Sequence, residues 1–197
     1  MNIPAASISV WAGEKIVCFK IGGRANFTAS VDFRSAIYQL WDQGHATFVL
    51  DLTDCLLMDS TFLGVLSGIG LNFSAPTNGH PAATVELLNP NPRVADLLSN
   101  LGLTHLFRVA QGPPMNVERL ACIEQAPANA DRAEIARTCL EAHQTLMAIN
   151  PANVPRFKDV AKFLAEDLRR LQADGSSSAT ARPPASDGPA PSRPVDP

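Results

Sequence analysis

The chain has 197 residues, 46% of them hydrophobic and 18% charged, with a formal net charge of -3 at pH 7. That length suits one globular domain with extensions rather than two independent domains. The balanced charge, with no Lys/Arg cluster ahead of Arg156, argues against a general nucleic-acid binder, and the lack of a long apolar run or a basic leader predicts neither a membrane span nor a secretory signal.

In chain order, Ser7 to Trp11 and Lys15 to Ile21 are β-rich runs on either side of "AGE", which predicts a hairpin. Thr28 and Ser30 precede "VDFRSAIYQLW", where Val31, Ala36/Ile37, Leu40 and Trp41 recur at helical spacing, and Gly44 ends that helix. "TFVLDL" (Thr47 to Leu52) fits a central buried strand. A loop then leads to a buried helix over Phe62 to Leu71. "TVELL" (Thr84 to Leu88) is a strand; Asn91 and Pro92 open a helix striped by Val94, Leu97, Leu98 and Leu101 and closed by Gly102. "HLFRV" (His105 to Val109) reads as a last strand and Asn116 to Glu124 as a closing helix. The fold class is therefore α/β, a mixed β-sheet with crossover helices.

A C-terminal helical pair follows. Asn129 or Asp131 caps a run carrying Ile135, Cys139, Ala142, Leu146 and Ile149, stopped at Asn150 and Pro151. Asn153 and Pro155 open a second run with Phe157, Val160/Ala161, Leu164, Leu168 and Leu171 on one face. Each stripe needs a cover: an αα-hairpin packed on itself and on the domain, or a partner or homodimer seam. From Asp174 on, six prolines and Val195 as the lone branched aliphatic predict a disordered Pro/Ser-rich tail. The organisation is a first domain over 1–125, a helical extension over 126–173 and a tail over 174–197.

Cys18, Cys55, Cys122 and Cys139 form no C-x-x-C pair, and His45, His80, His105 and His143 share no ligand spacing, so no metal site and no cofactor are expected. The Gly-x-Gly of "SGIGLNFS" falls at a helix end, not between strand and helix, which argues against a nucleotide loop. Asp51 and Asp54 at a strand end resemble a receiver's acidic site, but the further acidic pair and lysine of a receiver are missing. No Gly-x-Ser-x-Gly elbow surrounds Ser60, and no catalytic set emerges.

The informative stretch is "LLMDSTFLGVLSG" (Leu56 to Gly68). Asp59, Ser60 and Thr61 are all good N-caps, each capable of about 1 kcal/mol. A hydroxyl there also lies where unpaired N–H groups and the helix dipole favour an added phosphate, a charge of about -1.5 to -2. Asp59 opposes that stabilisation, so the charge would act mainly on whatever surface faces it.

The run "FVLDLTDCLLMDSTFLGVL" (Phe48 to Leu66) resembles the signature of STAS domains of the anti-sigma-factor antagonist type. "KIGGRANFTAS" is similar to that family's loop after the second strand, and "LLNPNPRVADLLSNLGLTHLFRV" to its later strand, helix and final strand. The resemblance spans roughly residues 7 to 125. It implies a STAS fold, phosphorylation at Ser60, and a partner surface including Asp59, Thr61, Phe62, Gly64 and Asn26. Phe62 stands where the family usually has glycine, which puts a ring at or near the expected binding surface, either to change partner choice or simply to fill a pocket, and Asn26 stands where aspartate is common. The function implied is a non-enzymatic, cytoplasmic partner switch. Unphosphorylated, it would bind an anti-sigma factor or a serine kinase of the histidine-kinase-like ATPase fold; phosphorylation would release it and a serine phosphatase would reset it. The alternatives are a STAS-fold scaffold in which Ser60 is only a helix cap, and a small-ligand sensor.

Overall fold

β1 (Ser7–Ala12) and β2 (Ile16–Ala25) form the expected antiparallel hairpin, with Val10 opposite Phe19. The structure, a computed structural model, describes residues 4–76, 80–124 and 129–179. β2 is ten residues long and serves two further neighbours besides β1: its first half pairs in parallel with β3 (Thr47–Asp51), its end with β4 (Cys55–Met58). Parallel pairing requires a crossover, supplied between β2 and β3 by α1 (Phe27–Asp42). α2 (Ser60–Phe73) then leads to β5 (Thr84–Leu88), and α3 (Pro92–Asn100) to β6 (Arg108–Ala110). With β7 (Ala121–Ile123) the sheet runs β6-β5-β3-β2-β1-β7, and β4 sits beside the end of β2. This is the mixed α/β architecture that the alternation of runs predicts, and its core gathers Phe19, Phe33, Phe48, Leu50, Phe62 and Phe73.

Three local expectations are corrected. Residues 55–58, read as loop, are strand β4, because the end of β2 beyond its pairing with β3 has backbone groups to satisfy. The closing helix over Asn116 to Glu124 does not form: β7 adds to the free edge of β1, Ile123 opposite Val10, while Asn116 accepts a hydrogen bond from the Glu118 N–H in a local turn. His105 belongs to a 3-10 turn (Thr104–Leu106), and the strand starts later, at Arg108.

The C-terminal pair is α4 (Arg132–Ile149) and α5 (Val154–Ala179). Asp131 is the cap of α4, accepting from the Glu134 N–H at 2.7 Å. At the corner, buried Asn153 donates to the carbonyls of Leu146 and Leu101, which ties the hairpin to the end of α3. α4 packs on α2 and touches α1, and α5 packs on α4. The chain from 174 to 179 continues α5, since extending a helix adds a bond per residue without a new nucleus and no proline intervenes before Pro183. Residues 180–197 of the expected tail lie outside the described residues.

Candidate functional site

The N-termini of α1 and α2 meet at one carboxylate. Asp59 Oδ1 accepts from the Phe62 N–H, capping α2, while Oδ2 accepts from the Phe27 N–H in the first turn of α1, both at 2.9 Å. The Asp59 N–H in turn donates to the Ala25 carbonyl, and Asn26 caps α1 through the Ala29 N–H at 3.1 Å. The loop after β2 and the Asp59-Ser60 segment are thus joined, which places Asn26 close to the expected phosphorylation site. A carboxylate shared between two helix N-termini satisfies two orphan donors and lies favourably in both dipoles.

Ser60 is therefore not the cap. It is the first residue of α2, half-buried, and its Oγ lies 3.0 Å from His143 Nε2 on α4. His143 Nδ1 is 2.7 Å from the Cys139 carbonyl, an oxygen that only accepts, so Nδ1 carries a proton. In the neutral ring that leaves Nε2 to accept the Ser60 hydroxyl proton. His143 is 5% exposed and its ring packs against Phe157 of α5.

Thr61 is also turned to α4: it is buried, and its Oγ1 approaches Cys139 Sγ at 3.8 Å. Burial pushes the Cys139 thiol above its ordinary pKa; the Thr61 hydroxyl pulls it down and the Asp59 charge adds to the rise. Gly64 lies under Ala142, whose backbone occupies the space that a Cβ at position 64 would need. Beside these contacts runs a largely apolar groove of about 330 Å³, lined by Phe27, Thr61, Cys139, His143, Val160 and Leu164.

Phe62 is the correction at the site. It is fully buried, stacked on Phe33 with ring centroids 5.0 Å apart, and Phe33 meets Phe19 edge-on at 5.3 Å. At about 100° per residue, position 62 lies about 200° around the helix from position 60, and position 64 only about 40°. Phe62 therefore belongs to the sheet side and Gly64 to the Ser60 side. His143 is the site residue that the sequence did not reveal: it sits 83 positions from Ser60, and its one signal is its place within the apolar stripe of α4, one turn after Cys139. The acidic residues that resemble a receiver's do structural work instead: Asp51 accepts from Thr53 and from the Met115 N–H, and Asp54 pairs with Lys20 at 3.0 Å.

Residues 8–113 match the family model described as STAS domain, which leaves α4 and α5 outside the match. Similar solved structures include the anti-sigma factor antagonist SpoIIAA in its unphosphorylated form, at 23% identity, with 54% of this chain and 88% of that chain covered and a TM-score of 0.45. The Bacillus cell fate determinant SpoIIAA in the phosphorylated form matches at 22% identity, with 54% and 91% covered and a TM-score of 0.43. An anti-sigma factor antagonist from Mycobacterium paratuberculosis matches at 14% identity, with 55% and 89% covered and a TM-score of 0.45. No curated protein matches the chain. Among the described residues no helix is long and apolar enough to cross a membrane.

Proposed function

The chain belongs to the STAS domain family, and from that premise we propose that it is a cytoplasmic, non-enzymatic anti-sigma-factor antagonist whose docking is controlled by phosphorylation of Ser60. The observation that carries this reading is the division of labour at the start of α2: Asp59 performs the capping, so the Ser60 hydroxyl is not committed to holding the helix and can be modified without undoing it. Thr61 is the poorer acceptor, because its hydroxyl is buried against Cys139.

In the modifying step the Ser60 oxygen forms the new O–P bond to the γ-phosphorus of ATP as the bond to ADP breaks, and the hydroxyl proton leaves to a base. A serine phosphatase reverses the state by hydrolysis, returning serine and inorganic phosphate. The added group brings a charge of about -1.5 to -2 beside Asp59, so an interface that closes over this point must desolvate or expel it. The unphosphorylated chain then binds its target, an anti-sigma factor or a serine kinase of the histidine-kinase-like ATPase fold, through the Asn26, Asp59, Ser60 and Gly64 surface, and the phosphorylated chain lets go.

Incubation of wild type and Ser60→Ala with ATP and extract of the producing cells, followed by intact-mass measurement, tests the reading. A single phosphate on wild type that is absent from Ser60→Ala is expected. Equal masses for the two proteins would overturn it.

A further inference from the structure

We propose that α4, backed by α5, is an intrachain occupant of the Ser60 face, so that a kinase or partner reaches Ser60 only after the helix pair lifts. The proposal rests on the reading of that face as the docking and modification surface, and deepens it. α4 and α5 lie outside the matched STAS segment, yet α4 lies across the residues that the segment contributes to the site. His143 holds the Ser60 hydroxyl, Cys139 meets Thr61, and the Ala142 backbone fills the space above Gly64.

The occupant defines the chemistry of its competitor. A partner that replaces α4 is an amphipathic helix with a small residue to set over Gly64 and a hydrogen-bonding side chain opposite Ser60. Around Ser60 the contact is light: it is made of glycine, alanine, threonine and cysteine, a groove of about 330 Å³ runs beside it, and the outer tie is an Arg34–Glu141 ion pair whose side chains are 42% and 45% exposed, while the large apolar hold of α4 lies a turn further on, at fully buried Leu146. A phosphate cannot lie between two atoms 3.0 Å apart, so modification of Ser60 breaks its hydrogen bond to His143 and weakens the hold of α4.

Thiol labelling of the full chain decides this without kinase, phosphate or partner, so its outcome is independent of whether Ser60 is modified in the cell. Ser60→Cys is alkylated with N-ethylmaleimide and read peptide by peptide, with exposed Cys122 as the reference for a free thiol and buried Cys18 as the reference for the intact fold. Residue 60 is expected to react at least about tenfold more slowly than Cys122, as it does if opening of α4 is required. Adding Ala142→Glu, which places a charge in the contact, should bring residue 60 close to the Cys122 rate while Cys18 stays protected. Where that variant also exposes Cys18, His143→Ala replaces it, with an expected rise of about fivefold because the buried ring that lies beside residue 60 and packs on Phe157 is removed. Labelling of residue 60 at the Cys122 rate in the otherwise unchanged chain, or no acceleration from His143→Ala, overturns the proposal.

Discussion

The two sides of α2 are made of opposite material. Toward the sheet it presents Phe62, Leu66, Ile69 and Phe73, all essentially inaccessible, with Phe62 and Phe73 each in contact with further rings. Toward α4 it presents half-buried Ser60, Thr61, Gly64 and half-buried Gly68, with Val65 and exposed Leu71 at the edge of the cleft. Burying a large apolar side chain contributes about 1.5–3 kcal/mol, whereas glycine, alanine and hydroxyl contacts contribute little area and depend on close approach and hydrogen bonds. One side is fixed for the life of the fold; the other can be exchanged for a different helix.

The largest test of that contrast is Phe62→Ala. Removing a phenyl ring stacked in the core costs about 3–5 kcal/mol, and the loss should appear in urea denaturation of the whole STAS domain. A cost under about 1 kcal/mol, as found at a surface position, would mean that Phe62 faces outward after all.

Next in size is Gly64→Ala. The added Cβ has no space beneath Ala142, and overpacking of this kind costs about 1–3 kcal/mol, while the same exchange favours α2 itself by about 1 kcal/mol. The strain can be relieved by lifting α4. Hydrogen exchange should therefore quicken by about tenfold or more over Arg132 to Ile149 and stay at its wild-type rate in β2 and β3. Uniform acceleration across the sheet would show that the two sides of α2 are equally permanent.

Much of this contrast is legible in the residues and some of it is not. The Asp59-Ser60-Thr61 triplet, the apolar run behind it and the stripes of both C-terminal helices all lie within single windows, so periodicity and cap chemistry locate α2, α4 and α5. The Phe62 direction is also present, in the angular spacing from Ser60, but a comparison by motif position leaves it between the binding surface and a filled pocket. What no window holds is pairing across the chain. β4 exists because the end of β2 lies beside it, β7 because the edge of β1 is open, and the Ser60–His143 contact because α4 folds back over 83 positions. A three- or four-residue strand carries too short a pattern to announce itself, and a lone histidine in an apolar stripe reads as a buried side chain.

The smallest effect concerns the outer tie between α1 and α4. Arg34 Nη1 lies 2.7 Å from Glu141 Oε2, but both side chains are nearly half exposed. Exposed ion pairs contribute about 0–1 kcal/mol and are screened by salt. Arg34→Ala should therefore leave the denaturation midpoint of the domain almost unmoved and speed α4 exchange by no more than about fivefold. Its mark is in the salt dependence. In wild type, raising the ionic strength should quicken α4 exchange modestly. In Arg34→Ala that increment should vanish, because the pair that salt weakens is already gone. If salt continues to loosen α4 in the variant by the wild-type amount, the electrostatic part of the contact lies elsewhere, and the hold of α4 on α2 rests on the packing of Ala142 over Gly64 and on the His143 hydrogen bond.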